Sequence, residues 1–104
     1  MTIQFNTDQN ISGKEEVSAP LIALISEGLS RFSHQITRVE VHLSDEDGNK
    51  EGLNDKRCML EARLEGMQPI SVTNNANTRD QAVSGAINKL KTSLDTLLGR
   101  LRNY

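Results

Sequence analysis

Basic side chains, which could neutralise the phosphates of a nucleic acid, are concentrated at the end of the chain. Residues 78–103 contain two acidic residues, Asp80 and Asp95, against five basic ones: Arg79, Lys89, Lys91, Arg100 and Arg102. The segment therefore carries +3 in a chain of net charge −2, and the remainder sums to −5. For any one of these residues, a solvated cation near a helix C-terminus is the simpler interpretation. Their clustering favours a surface that binds a polyanion.

Nucleophilic chemistry would depend on Cys58, His34 and His42, because the chain has one cysteine and two histidines. Residues 57–65 alternate in polarity, which places Cys58 on the apolar face of a strand together with Leu60. His42 falls on the polar face of another alternating segment, so the sheet would separate the thiol from this imidazole. We therefore expect a buried structural cysteine and no enzymatic activity.

The acidic stretch at residues 45–55 is the candidate for a metal site. Counted from Asp45, an EF-hand loop needs glycine at the sixth position and glutamate at the twelfth, where this chain has Lys50 and Lys56. No glycine-rich motif that cradles phosphate occurs. We therefore expect no metal and no cofactor. The acidic stretch would repel phosphate, so it would face away from RNA or contact a protein.

The helices that must position the basic residues can be predicted from apolar spacing. Residues 78–103 have apolar side chains three and four positions apart, which predicts one long helix: Val83, Ile87, Leu90, Leu94, Leu97 and Leu101. Residues 18–33 form an earlier predicted helix with two possible N-caps, and the apolar spacing, which includes Val17, extends the prediction to residues 13–17. A cap at Ser12 would place Pro20 inside the helix, where it would kink it, and a cap at Ser18 would place Pro20 in the first turn.

Alternating polarity predicts four strands, at residues 2–6, 37–44, 57–65 and 70–73. The order β-α-β-β-β-α predicts an α+β fold, with a single domain over residues 1–104. Each strand has one apolar face, so both helices must cover the same side of a four-stranded, mostly antiparallel sheet. The first strand, which is followed by a helix, would lie parallel to a neighbour. The open face would carry mixed charges: Arg38, Glu40, His42, Arg57, Glu61 and Arg63.

Composition restricts the compartment and the partners. A single cysteine allows no internal disulfide, the N-terminus does not resemble a signal peptide, and no apolar run reaches membrane-spanning length. We therefore expect a cytoplasmic protein without membrane contact. The chain has two phenylalanines, one tyrosine and no tryptophan, too few for the aromatic platform that binds single-stranded RNA. The predicted fold is similar to that of double-stranded RNA-binding domains, which bind shape and phosphates.

Short motifs in both helices resemble one family. Residues 29–32 read LSRF at the end of the first helix, and Ala82-Val83 is followed by INKL at residues 87–90. With the element order and the length of the chain, these motifs are similar to the short form of the ribosome hibernation-promoting factors and ribosome-associated translation inhibitors, once named sigma-factor modulators. The dimerising tail of the long form is expected to be absent.

The resemblance implies binding in the small-subunit channel that holds mRNA and tRNA, and inhibition of translation in stressed or stationary cells. It implies rRNA-binding roles for Arg31 and Lys89, which match basic positions of the family's motifs. Charge placement adds the other predicted rRNA-binding residues: Arg79, Lys91, Arg100 and Arg102. We expect their binding to rRNA phosphates to be sensitive to salt.

A protein-interaction module is the alternative function from a different class. In that interpretation the apolar stripe of residues 78–103 is the seam of a coiled-coil dimer. Ala82, Ala86 and Leu98 widen the stripe, which favours packing on the sheet instead. We therefore expect a monomer, with a weak homodimer as the alternative.

Overall fold

Strands and helices follow one another in the predicted order. A computed structural model describes residues 1–7, 14–45 and 56–102. Its elements are strand β1 (Thr2–Thr7), helix α1 (Lys14–Gly28), a short 3-10 helix (Ser30–Phe32), strands β2 (Ile36–Asp45), β3 (Lys56–Leu64) and β4 (Ile70–Ala76), and helix α2 (Arg79–Arg102). The predicted α+β fold is confirmed. The expectations for the acidic stretch concern residues 46–55, which lie outside the described residues.

The sheet has the strand order β1-β2-β3-β4. β1 is parallel to β2, with Ile3 opposite Val39, and the other two pairings are antiparallel. Alternate residues of the two central strands are buried, as the period of a strand requires when one face is covered. α2 packs over β3 and β4, and α1 packs against β1 and α2. Both helices thus contribute to one hydrophobic core on one side of the sheet.

The apolar stripe of α2 supplies much of this core. Val83, Leu90 and Leu94 are fully buried, and Ile87 is 5% exposed. Fully burying such side chains contributes about 1.5–3 kcal/mol each relative to leaving them in water. The stripe is therefore used within the chain, as its width indicated. Among the described residues, no helix is long and apolar enough to cross a membrane.

Helix α1 begins before Val17 and ends earlier than predicted. It contains Pro20, which excludes Ser18 of the two N-caps left open by the sequence, while Ser12 lies outside the described residues. The predicted single helix to residue 33 is also wrong, because α1 stops at Gly28 and a 3-10 turn follows. In that turn the amide of Phe32 donates to the carbonyl of Leu29 over 2.9 Å. The tighter turn leaves both of these side chains buried.

The start of α2 is set by Thr78. Its hydroxyl oxygen accepts a hydrogen bond of 3.1 Å from the backbone amide of Gln81, the geometry of an N-cap. Thr78 and Gln81 also have the spacing of a capping box. β4 ends at Ala76, two residues before this cap, and α2 then runs back over β3 and β4.

Candidate nucleic-acid interface

A groove between the C-terminal end of α1 and the middle of α2 contains two of the predicted rRNA-binding residues. Its volume is about 540 Å³, and it is lined by Leu24, Glu27, Gly28, Ser30, Arg31, Ser84, Ile87, Asn88 and Lys91. The two helices approach closely at Gly28, where a Cβ atom would lie 2.8 Å from Cγ2 of Ile87. This close approach brings Arg31, which follows α1, onto the same rim as Lys91 of α2.

Arg31 is held by two contacts. Its Nη2 donates to both carboxylate oxygens of Asp95, over 2.7 and 2.9 Å, and its guanidinium lies 4.6 Å from the centre of the Phe32 ring. The side chains of Arg31 and Asp95 are 63% and 52% exposed. An ion pair in water contributes roughly 0–1 kcal/mol, so this contact orients the guanidinium without removing it from solvent.

Lys89 and Lys91 lie on opposite flanks of α2, because two positions correspond to about 200° around a helix. Lys91 is half-buried in the groove. Lys89 instead donates from Nζ to the backbone carbonyl of Thr73 over 2.8 Å. Thr73 belongs to β4, an edge strand whose outer carbonyls lack a neighbouring strand. Lys89 therefore satisfies the edge of the sheet on the side away from the groove.

Arg79 lies in the first turn of α2, about 18 Å along the helix from Lys91. Its Nε is buried and has no hydrogen-bond partner among the described residues. The side chains of Arg100 and Arg102 lie outside the described part of the chain, although the backbone of α2 continues to Arg102. Of the predicted residues, the structure thus brings Arg31 and Lys91 together, and it places Lys89 and Arg79 elsewhere.

Charged side chains on the open face of the sheet neutralise one another. Arg38 donates to Glu40 over 3.0 Å, and Arg63 contacts both Glu40 and Glu61 at 3.2 Å. Directly opposite residues carry like charges, Arg38 with Arg63 and Glu40 with Glu61, so the attractive contacts run diagonally or along a strand. Burial alone would raise the pKa of Glu40, but Arg38 and Arg63 outweigh it and lower that pKa. This face presents paired rather than available cations.

The groups considered for nucleophilic chemistry lie on opposite faces of the sheet. Cys58 is buried beneath the helices, and His42 is exposed on the open face. Burial raises the pKa of the Cys58 thiol to about 12, so the thiol is protonated at neutral pH and is a poor nucleophile. Within the described residues, no group of three or more His, Cys, Asp or Glu side chains is placed to hold a metal ion.

Comparison with known proteins gives the family. The family model described as "Sigma 54 modulation protein / S30EA ribosomal protein" matches residues 9–102. The chain belongs to this family. The resemblance to ribosome hibernation-promoting factors, inferred from the two helical motifs, is thereby confirmed at family level, and the family is one of ribosome-associated factors.

Solved structures share the fold. A structure titled "ribosomal subunit interface protein from Coxiella burnetii" has 20% sequence identity and a TM-score of 0.69, covering 95% of this chain and 99% of that one. The N-terminal domain of Protein Y from Thermus thermophilus has 18% identity and a TM-score of 0.70, covering 93% and 99%. No curated protein matches the chain in sequence.

Asp95, the ion-pair partner of Arg31, is the residue of the site that sequence reasoning missed. It was counted as a charge on α2, but its partner Arg31 is 64 positions away in sequence, and no local pattern connects them. Ser30, Ser84 and Asn88 also line the groove. Asn88 and Ser84 precede Lys91 by three and seven positions, about one and two helical turns, and this spacing was a usable signal because such residues share a helix face.

Proposed function

We propose that this chain binds the small ribosomal subunit near the mRNA and tRNA channel, through phosphates of rRNA, and inhibits translation during stress or stationary phase. Family membership supports ribosome association. One structural observation supports the site: Arg31 and Lys91 share a solvent-open groove between the helices. Arg31 is paired with Asp95, but its side chain is 63% exposed, against 40% for Arg38 and 46% for Arg63 on the open sheet face.

The positions of the two phenylalanines, which are the aromatic residues in the described part of the chain, support contact with phosphates rather than bases. Phe32 is 3% exposed, and Phe5 is half-buried against the core. Neither ring presents the open face on which single-stranded bases stack. Recognition would therefore depend on the shape of rRNA and on its phosphates, and inhibition would follow because the bound body occupies the path of tRNA.

Salt-dependent co-sedimentation with purified small subunits tests the proposal. Between about 0.05 and 0.2 M salt, a ligand that binds several phosphates loses affinity steeply. We expect Arg31→Glu and Lys91→Glu to weaken binding and to make its salt dependence shallower. Arg57→Glu makes the same charge change on the open sheet face and is the matched control; it should bind like the wild type.

Two results would separate the parts of this proposal. If wild type fails to sediment with small subunits at low salt, ribosome binding is wrong. If wild type binds but Arg57→Glu weakens binding more than either groove variant, the surface is wrong and the sheet face is the interface. A translation assay in a cell extract, with added protein in excess over ribosomes, tests inhibition separately from binding.

Dimerisation through the α2 stripe receives less support. A coiled-coil seam needs an exposed row of apolar side chains, whereas Val83, Leu90 and Leu94 are fully buried against the chain's own sheet. Sedimentation equilibrium distinguishes the two, because a tight dimer without affinity for small subunits would favour the interaction module.

A further inference from the structure

Arg31 uses one part of its guanidinium for Asp95 and leaves the rest available. Both carboxylate oxygens are bonded by the same nitrogen, Nη2, at 2.7 and 2.9 Å. A guanidinium has five N–H donors, and a fork-to-fork pair would have used two nitrogens. Among the described residues, Nη1 and Nε of Arg31 make no hydrogen bond. The contact with Asp95 is therefore incomplete, and a second anion can approach the same guanidinium.

We propose that Asp95 sets the anion affinity of the groove by acting as an internal competitor for Arg31. The proposal rests on the proposed function, since it concerns how tightly the groove binds a phosphate of RNA. In the free chain the Asp95 carboxylate occupies Arg31. A phosphate that binds the groove must either displace this carboxylate or share the guanidinium with it at close range, and both weaken binding.

Phe32 determines whether Asp95 weakens or strengthens the binding of a phosphate to Arg31. An ion pair can also help binding, by holding an arginine in the productive orientation before the ligand arrives. Here the guanidinium also lies 4.6 Å from the centre of the Phe32 ring, and Phe32 itself is fixed in the core. Because this cation–π contact keeps Arg31 in place without Asp95, removing the carboxylate eliminates competition while orientation is kept.

A phosphate can replace the Asp95 carboxylate at Arg31 because both side chains are exposed to solvent. Both partners are more than half exposed, and ion pairs in water exchange readily because water and salt screen them. Glu27 also lines the groove but is not bonded to Arg31, so Asp95 is the carboxylate that occupies the guanidinium.

Asp95→Asn is the decisive variant, because it keeps the shape of the side chain and removes its charge. A unit charge about 6 Å from a phosphate, at the dielectric constant of water, corresponds to about a threefold change in affinity. We expect Asp95→Asn to bind small subunits about threefold more tightly, with the salt slope steeper by about 0.7–0.9. Asp80→Asn is the matched control, since it makes the same change about 22 Å along α2, beyond the screening length. It should bind like the wild type.

A double-mutant cycle tests whether Asp95 changes the affinity for small subunits through Arg31. Arg31→Gln should weaken binding little in the wild type, where Asp95 already occupies the guanidinium, and more strongly in the Asp95→Asn background. Unchanged or weaker binding by Asp95→Asn would overturn the proposal and make Asp95 a positioning residue at most. An equal gain in Asp80→Asn would also overturn it, because net charge would then explain the effect.

A ribosome-free measurement separates failure of this inference from failure of the proposed function. Arg31 side-chain N–H signals can be followed by NMR while tripolyphosphate is added to wild type and to Asp95→Asn. We expect saturation at a lower tripolyphosphate concentration in the variant. If that shift occurs although wild type does not bind small subunits, the proposed function is wrong and the competition is supported. If the two titrations coincide, the competition is wrong whatever the ribosome does.

Discussion

Replacing Gly85 by alanine tests whether a tertiary contact or helix propensity decides stability at this point of α2. Gly85 faces the Asn74 side chain of β4, and a Cβ atom there would lie 2.6 Å from Cγ of Asn74 and closer still to its Nδ2. A Cβ atom added at Gly99, later in the same helix, would meet no side chain within 4 Å. The same substitution at these positions should therefore have opposite effects.

The magnitude follows from two opposing contributions. Alanine in place of glycine stabilises a helix interior by about 1 kcal/mol. At position 85, however, the Asn74 amide would have to leave the carbonyls of Gln81 and Ala82, to which its Nδ2 donates over 3.4 and 3.2 Å. Such bonds contribute about 0.5–1.5 kcal/mol each, and a partly buried amide left without a partner costs about 1–3 kcal/mol. We expect Gly85→Ala to lower the free energy of unfolding by about 1–2 kcal/mol.

Urea unfolding followed by circular dichroism measures the effect. Gly99→Ala should raise the free energy of unfolding by up to about 1 kcal/mol, and Gly85→Ala should do the same once Asn74→Ala has removed the obstructing amide. A loss of about 1 kcal/mol lowers the melting temperature by roughly 4–8 °C in a domain of this size. If Gly85→Ala stabilises the chain with Asn74 present, the close contact does not control stability and the reasoning is wrong.

Three other predictions concern the reactivity of Cys58 and the stability of variants at Glu40 and Thr78. Cys58 should react with a thiol reagent at pH 8 only as fast as the chain unfolds, because burial raises its pKa to about 12; fast labelling of the native chain would contradict this. Glu40→Gln should lower the free energy of unfolding at neutral pH, as measured by urea melts. Because the pKa of Glu40 is lowered from 4.5 in the folded chain, the difference in unfolding free energy between variant and wild type should shrink as the pH falls below 4.5 and through that lowered pKa. Thr78→Ala should lower the free energy of unfolding by about 1 kcal/mol through loss of the N-cap, whereas Thr78→Ser should retain most of it.

Much of the fold could be predicted because strands and helices leave different periods in the sequence. The spacing of apolar residues did not predict the end of α1 correctly, because an α-helix and a 3-10 turn can give the same spacing. Leu29 and Phe32 are three positions apart, which suits an α-helix and a 3-10 turn equally, so the end of α1 was placed too late. Alternating polarity predicted that strand β4 ends at Thr73, and the asparagines that follow are of a type depleted in strands. Its extension to Ala76 depends on pairing with Lys56 in β3, which no local pattern contains.

The candidate site could be predicted in part, because the period of a helix shows which residues of α2 share a face. Because residues 78–103 were predicted as one helix, a rotation of about 100° per residue puts Lys89 and Lys91 on different flanks, and the structure has them there. What those flanks face depends on packing: Lys89 meets a carbonyl of an edge strand, and Lys91 meets the end of α1. The contact between Arg31 and Asp95 joins two segments whose proximity follows from the close approach of the helices at Gly28.

The charge of the groove, rather than that of the chain, decides whether a phosphate is bound, because at physiological salt a charge is felt over only about 8 Å. Arg31 and Lys91 on the rim are balanced in formal charge by Glu27 and by Asp95, which is bonded to Arg31. A neutral groove attracts a polyanion only weakly until a phosphate replaces the Asp95 carboxylate at Arg31. The affinity for small subunits should therefore increase in the order Arg31→Glu, wild type, Asp95→Asn. If Asp95→Asn and Arg31→Glu both bind more weakly than wild type, Asp95 helps Arg31 to bind and the two residues act as one recognition unit.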